Sequence, residues 1–574
     1  MDVVRPPSTG RGRAQSLAIA LAGAAGYGMA ALALGQDASW DLKNYHLYNP
    51  YAWLQGRNGF DYLPAQLQTY YNPLLDLPFY AAHRAFAPPA AALAVAALQG
   101  ATFWVLCALG RRLLMAGQWR HPGTWAMVAA ALGCLGAGSL SEMGTSFGDN
   151  LVSILVLSGL LLLLRPVAPL PACDGAPAAS AKHLAGAGII VGAAAGLKPT
   201  AGVFGLALVI AALFSDNAAR WAVRRAAGVA VAAAAGFALT GGVWAVSLYR
   251  RTGNPLFPYL NGLFCSPYAP CRELADRRYL PRDAHQWLFY PYYLATGNEL
   301  ADDVLFADPR LAIVWSLLLA AAGIAMAARL ARLLGRPLAN LCLARTSGLA
   351  RASWRALLAF WVSGYGLWLL AFANYRYAMP LELLAGLVAL GLLGALPLGG
   401  RGRLVLAAAL AATAAAGTQL PDRGRTHWSG SLTGVEFPDL GDGGSPPIIV
   451  IASWDPVGYA FTAAPAQARV VRLFSNLCHP RCAPALEAEM RAVLARHAGP
   501  IWLLSTWANE GREREVLGQF GLSPRHDVCR PLPSKLDRGL RLCPVAPRTV
   551  VHGEPGAAVS VKEALPRSAP QDGS

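Results

Sequence analysis

Asp37 and Asp41 stand just beyond the first long apolar run of the chain. Asp41 lies in SWDLKNYHLYNPYAW, residues 39–53, with Asn44, Tyr45 and His46 close behind it. A mere connector needs no such chemistry, and Asp41 gains nothing by anchoring a helix. Gln68 and Asn72 continue the same composition, among Asp61, Gln66, Tyr70, Tyr71 and Asp76. Amides and aromatic rings at this density suit a sugar: the amides bond hydroxyls and the rings stack on pyranose faces. Further charged groups stand where apolar runs end: Glu142 and Asp149 around SEMGTSFGDN, Lys198 in GLKPT, and Arg376, Tyr377 and Glu382 in NYRYAMPLE. Charge at membrane depth is costly and marks function by default. Lys198 can bind a phosphate, with Gly196 allowing close approach, and Arg376 offers phosphate a fork that a lysine lacks.

Each group also has a plainer account. Tyr and Trp form belts at the headgroup level, and Asp149 stands where a carboxylate caps a helix. Lys198 can snorkel to the surface, and Glu382 can pair with Arg376 or Lys198. Leu42, Tyr45, Tyr48 and Ala52 share one apolar face, which predicts a short helix lying along the membrane surface. Gln55 breaks that face and Pro50 is expected to kink or end the helix. The segment GNPLFPYLNGLFCSPYAP, 253–270, reads as a rigid aromatic lid or as a structural plug.

The elements that position these residues follow from composition. The chain has 574 residues, 55% hydrophobic and 14% charged, where a soluble protein carries roughly 25% charged. Several runs are long enough for a bilayer core of roughly 30 Å. The run from Ser16 to Gly35 reads as a signal-anchor, not a cleaved leader. We expect an α-helical polytopic membrane protein with about 11 transmembrane helices over 15–420, after a cytoplasmic N-terminus of 1–14. Its long external loops are 36–88 and 249–308. GLKPT divides the run 184–214 into two short helices. Lys and Arg crowd the loops on one side, where Asp2, Asp174 and Asp216 are the acids. This positive-inside pattern accounts for the net charge of +16. It argues against nucleic acid, whose binding gathers basic residues on one folded face. Residues 421–548 read as a small α/β domain, with strands in PIIVIAS, ARVVRLFS and PIWLLST and helices in ALEAEMRAVLARH and EREVLGQFG. A disordered tail is expected over 549–574. Cys265 with Cys271, Cys478 with Cys482, and Cys529 with Cys543 fall outside, where pairing and free thiols both stay open. CHPRC has no second ligand pair to make it a zinc site.

The ordered set WDLKNYHLYNPYAW, SFGDN, GLKPT, GNPLFPY and NYRYAMPLE resembles bacterial polytopic glycosyltransferases of the GT-C type, over about residues 15–420. The C-terminal domain resembles no family we can name. The resemblance implies an enzyme of the bacterial inner membrane, with its site and C-terminal domain on the periplasmic side. It implies a polyprenyl-phosphate-linked sugar as donor and a lipid, glycan or protein as acceptor. Asp41 would then be the general base, although Asp37 competes for that role. Asp149 would bind the acceptor or orient Asp41, and Lys198 and Arg376 would hold the leaving lipid phosphate. Asp37, Asn44, Tyr45, His46, Gln68, Asn72, Tyr377 and Glu382 would bind substrate. Some proteins of this type need a divalent metal, and nothing in the residues demands one. Other classes also fit a polytopic chain: a transporter or flippase of a lipid-linked or sugar substrate, an O-antigen polymerase or ligase, and a non-catalytic scaffold. A transporter usually shows internal repeats, and none is evident.

Overall fold

Each apolar run read from the sequence forms a helix in the structure, a computed structural model. It describes residues 9–165, 178–215, 221–297, 300–334, 348–441, 445–479 and 481–547. Residues 166–177, within the Pro/Ala-rich segment 166–182, residues 335–347 and the expected tail at 549–574 lie outside the described residues. In chain order the first part holds α1 (Thr9–Leu34), β1 (Gln36–Asp37), α2 (Tyr48–Leu54), α3 (Leu77–Ala85), α4 (Pro88–Gln99), α5 (Ala101–Ala116), α6 (Pro122–Cys134), α7 (Ala137–Ser141) and α8 (Asp149–Leu163). Then come α9 (Ala178–Leu197), α10 (Gly202–Leu213), α11 (Ala222–Thr252), α12 (Asn261–Phe264), α13 (Ala284–Ala295), α14 (Arg310–Leu333), α15 (Gly348–Ala371), α16 (Met379–Ala395) and α17 (Gly400–Ala416). Among the described residues, 5 helical spans are long and apolar enough to cross a membrane, and four shorter apolar helices pack beside them. The expected polytopic helical protein is thus what the structure has.

Small residues set the closest packing. Gly188, Gly192 and Gly196 recur every fourth residue on α9 and face Val229, Ala233 and Thr240 of α11 in turn. A Cβ on Gly192 would lie 1.9 Å from the Ala233 carbonyl oxygen, and one on Gly196 would lie 2.3 Å from Thr240 Oγ1. Such stripes let helix backbones approach where lipid offers no hydrophobic drive. Gly196 is therefore a packing residue, and its expected part in phosphate approach gives way to contact with α11. Gly192→Ala should destabilise the protein by about 1–3 kcal/mol through overpacking, seen as a lower thermal midpoint. Gly202→Ala, with nothing within 4 Å of the added carbon, should leave that midpoint in place.

The chain after α17 returns along the same end of the bundle. Strand β2 (Arg425–Thr426) pairs antiparallel with β1, and Arg425 donates to the carbonyls of Gly35, Ser141 and Met143. A sheet follows, built from β3 (Ile448–Ile451), β4 (Arg469–Arg472), β5 (Ile501–Thr506), β6 (Leu522–Pro524), β7 (Arg530–Pro531) and β8 (Leu540–Pro547). Its order is β4-β3-β5-β8-β6, with β7 on β8; β3 runs parallel to β4 and β5, and β8 is antiparallel. Helices α18 (Pro484–Ala495) and α19 (Glu510–Gln519) complete the unit. The first three strands and both helices match the sequence reading; β8 and its partners add to it. Cys265–Cys271, Cys478–Cys482 and Cys529–Cys543 are disulfide-bonded.

This sheet unit docks on the loop that follows α1. Tyr62 adds to the edge of β4: its amide donates to the Val470 carbonyl and its carbonyl accepts from the Arg472 amide. Asp61 holds Arg57 at 2.7 and 2.9 Å and accepts from the Val470 amide, while Arg57 donates to the carbonyls of Ala466 and Ala468. Lys43 pairs with Asp537 at 2.8 Å. Leu42, Tyr45, Tyr48 and Ala52 are all buried, in one cluster with Val457, Tyr459, Ala460 and Phe461 of the C-terminal unit. The predicted apolar face is real, but protein covers it, not lipid. Trp40 and Trp53, at 43% and 41% exposure, face outward instead. Pro50 is accommodated because it falls in the first turn of α2, where its missing amide is not needed.

Candidate active site

The chain between β1 and α2 opens as a single π-helical turn, Leu42–His46, with Asp41 at its start. An i→i+5 turn of this kind is rare and recurs at functional sites. It places Asp41 at the end of the bundle where α1 finishes. Asp149 arrives as the first residue of α8, in a segment that follows the buried turn of Glu142. Lys198 sits in extended backbone between α9 and a short turn at Pro199–Ala201. The residue before a proline is pushed out of helical geometry, so GLKPT breaks the helix where the lysine must turn inward. Arg376 comes from the single turn Tyr375–Ala378 that leads into α16, fixed by Asn374, whose side chain accepts from the Arg376 amide.

These residues meet. Arg376 Nη1 lies 2.9 Å from Asp41 Oδ2, Nη2 lies 3.6 Å from Asp149 Oδ2, and Nε lies 3.8 Å from Glu142 Oε1. Lys198 Nζ donates to Asp149 Oδ1 at 2.5 Å. The Arg376 guanidinium also rests 4.3 Å from the centre of the Phe147 ring, and Lys198 lies 5.4 Å from that of Tyr377. Asp149 makes no cap to its own helix; its carboxylate faces the two cations. Two cations held by acids at the end of the bundle can exchange those acids for an incoming anion.

Other expected site residues are divided by the geometry. His46 Nδ1 lies 2.7 Å from Asp76 Oδ1, both side chains being buried. Tyr45 is buried, with its ring edge-on to Tyr71 at 5.5 Å. Tyr259 of the 253–270 segment donates to the Tyr71 hydroxyl at 2.6 Å. Asn44 donates to Gln68 Oε1 and to the Ala65 carbonyl, both at 3.2 Å. Three residues are turned to the backbone instead of these cations. Asp37 accepts from the Ser39 amide and from the amide and hydroxyl of Ser146, so it fastens two loops together. Glu382 accepts from the amides of Gly138 and Ser139, both at 2.9 Å, which binds α16 to the start of α7 and replaces the expected pairing with Arg376 or Lys198. Asn72 donates to the carbonyls of Gly196 and Thr240, both at 2.9 Å, tying the loop to α9 and α11.

Glu142 belongs to the site although its position alone did not single it out beside Asp149. It is fully buried, and among the described residues neither carboxylate oxygen has a hydrogen-bond partner. Burial pushes its carboxyl up, and the nearby charge of Asp149 adds to this, to about 8, against the opposing charge of Arg376. A protonated Glu142 leaves two carboxylates, Asp41 and Asp149, facing two cations. Burial also acts to raise the Asp41 carboxyl, but Arg376, with His46 and Lys198, outweighs it and holds it below the ordinary carboxylate value. The folded chain thus keeps the Glu142 proton to higher pH than the unfolded chain. Its contribution is fully present below the ordinary value of 4.5 and is lost as pH rises through about 8. Glu142→Gln should flatten that fall: between pH 5.5 and 8.5 the thermal midpoint of the variant should drop less than that of the natural protein.

A divalent metal does not fit this site. Among the described residues no group of three or more His, Cys, Asp or Glu side chains is arranged to hold one. The convergent acids Asp41, Asp149 and Glu142 surround a guanidinium instead.

No family model matches the chain, and no curated protein matches it. Structural comparison finds ArnT from Cupriavidus metallidurans bound to undecaprenyl phosphate, at 12% identity and a TM-score of 0.47, covering 96% of this chain and 100% of that one. It also finds the apo oligosaccharyltransferase of Archaeoglobus fulgidus, at 13% identity and a TM-score of 0.42, covering 87% of this chain and 71% of that one. At these identities the likeness concerns the course of the chain alone.

Proposed function

We propose that this protein is a glycosyltransferase of the GT-C type that takes its sugar from a polyprenyl-phosphate-linked donor, on the periplasmic side of the bacterial inner membrane. The observation that carries the reading is the pair Arg376 and Lys198, two cations held by exchangeable acids at the end of an apolar bundle. A lipid phosphodiester offers the charge and the oxygens to replace those acids, through charge-assisted bonds that a guanidinium fork strengthens. As Arg376 turns to the phosphate, Asp41 is released to accept the proton of an acceptor hydroxyl. That hydroxyl oxygen bonds to the sugar carbon, and the bond from that carbon to the phosphate oxygen breaks. The electron pair leaves with the lipid phosphate, where Arg376 and Lys198 stabilise it. Tyr377, whose ring centre lies 5.4 Å from Lys198 Nζ, stands beside these cations and suits a sugar face.

The test is to incubate the purified full chain, in nanodiscs, with a panel of polyprenyl-phosphate-linked hexoses and pentoses and to follow release of the lipid phosphate. Release from at least one donor, lost in Lys198→Gln, is the expected result. Uptake or flipping of such lipids without cleavage would instead favour a transporter.

A further inference from the structure

Asp41 alone is a poor final home for a proton. Once Arg376 has turned to the phosphate, Asp41 takes the proton and must pass it on before it can act again. One π-helical turn further on stands His46, and an i→i+5 turn stacks residues five apart on one side. His46 Nδ1 lies 2.7 Å from Asp76 Oδ1. A carboxylate only accepts, so Nδ1 carries the hydrogen and Nε2 presents a lone pair. That Nε2 is buried and has no hydrogen-bond partner. A ring kept only to steady Asp76 leaves this nitrogen without the partner that a buried polar atom normally has. The ring itself is fixed, 4.0 Å from Tyr45 and edge-on to Phe147 at 6.0 Å.

We infer that His46, oriented by Asp76, takes over the proton that the attacking hydroxyl gives to Asp41. This rests on the glycosyl-transfer reading above. The hydroxyl proton passes to the Asp41 carboxylate as the new oxygen–carbon bond forms, and then to Nε2 of His46; the Nδ1 hydrogen stays on its bond to Asp76. The resulting imidazolium is held by Asp76, one π-helical turn from Asp41, while the departing phosphate keeps its electron pair beside Arg376 and Lys198. Transfer to His46 restores Asp41, and water then clears the proton from the imidazolium. His46 and Asp76 are thus positioning residues for the proton and touch no reacting atom. The groups that bear on them are Asp41 on the same turn, Lys198 after α9, Arg376 before α16, and Tyr45.

The experiment measures kcat and KM against pH for the full chain in nanodiscs, using a polyprenyl-phosphate sugar that the natural protein cleaves. Binding of undecaprenyl phosphate is measured in parallel. His46→Gln should lower kcat by about 10²–10⁴-fold with KM for the donor unchanged. The variant's rate–pH profile should also differ in shape from that of the natural protein. Asp76→Asn should lower kcat in the same direction, and undecaprenyl phosphate binding should persist in both variants. A His46→Gln protein that keeps the natural kcat, or keeps the natural rate–pH profile, overturns the inference while leaving glycosyl transfer standing. Loss of undecaprenyl phosphate binding together with activity assigns His46 to the fold and overturns it as well. If the natural protein cleaves no donor in the panel, the glycosyl-transfer reading fails and this inference fails with it.

Discussion

Arg376→Gln is expected to cut kcat/KM for a polyprenyl-phosphate sugar by at least about 10³-fold, an amount typical of a lost charge stabiliser in a water-poor site. It should also destabilise the protein by about 3–5 kcal/mol, because removing one member of a buried ion pair strands the others. Arg376 faces Asp41, Asp149 and Glu142 at once, and Lys198 reaches only one of these, Asp149. Arg376→Lys separates the two effects. A lysine restores charge but not the planar fork, so it should recover much of the thermal stability and little of the turnover. A single-turnover assay for lipid phosphate release, run beside a thermal melt, reads both. A natural rate in Arg376→Gln would remove Arg376 from the reaction.

The second large effect is at Asp41. Asp41→Asn should lower kcat by about 10²–10⁴-fold with the fold and undecaprenyl phosphate binding intact, since an amide oxygen can still accept from Arg376. Asp37→Asn should behave oppositely. Both Asp37 oxygens accept from loop donors, and an amide nitrogen cannot accept, so this variant should lose about 1–3 kcal/mol of stability. Its residual folded fraction should turn over at close to the natural kcat. Measuring kcat per folded molecule for the pair decides which aspartate is the base.

The contrast between these aspartates marks how far the sequence could be read. Both follow α1 and carry the same side chain, so local sequence did not separate them. What separates them are the Ser146 donors, 109 positions away from Asp37, and Arg376 of the turn before α16. Lys198 was legible because Pro199 forces a helix break beside it, and a lysine at such a break has a restricted choice of surroundings. Glu142 was visible as an outer-side acid, but its lack of hydrogen-bond partners arises from long-range packing that no local pattern encodes. Gly196 was misjudged for a related reason: a four-residue glycine stripe announces a close neighbour, and α11 rather than a ligand is that neighbour. Periodicity likewise revealed the face of Leu42, Tyr45, Tyr48 and Ala52 correctly. A pattern specifies a buried face without naming what buries it, and here the cover is the C-terminal unit, joined through Tyr62, Arg57 and Asp61. That docking ties the C-terminal unit to the segment that carries Asp41 and His46.

The most direct test is a structure of the full chain with undecaprenyl phosphate, determined in nanodiscs. The account predicts the lipid phosphate within hydrogen-bond distance of both Arg376 and Lys198, with the Arg376–Asp41 contact, 2.9 Å here, opened and Asp41 facing the acceptor side of the site. A phosphate bound elsewhere, with Arg376 still paired to Asp41 and Lys198 to Asp149, would contradict it.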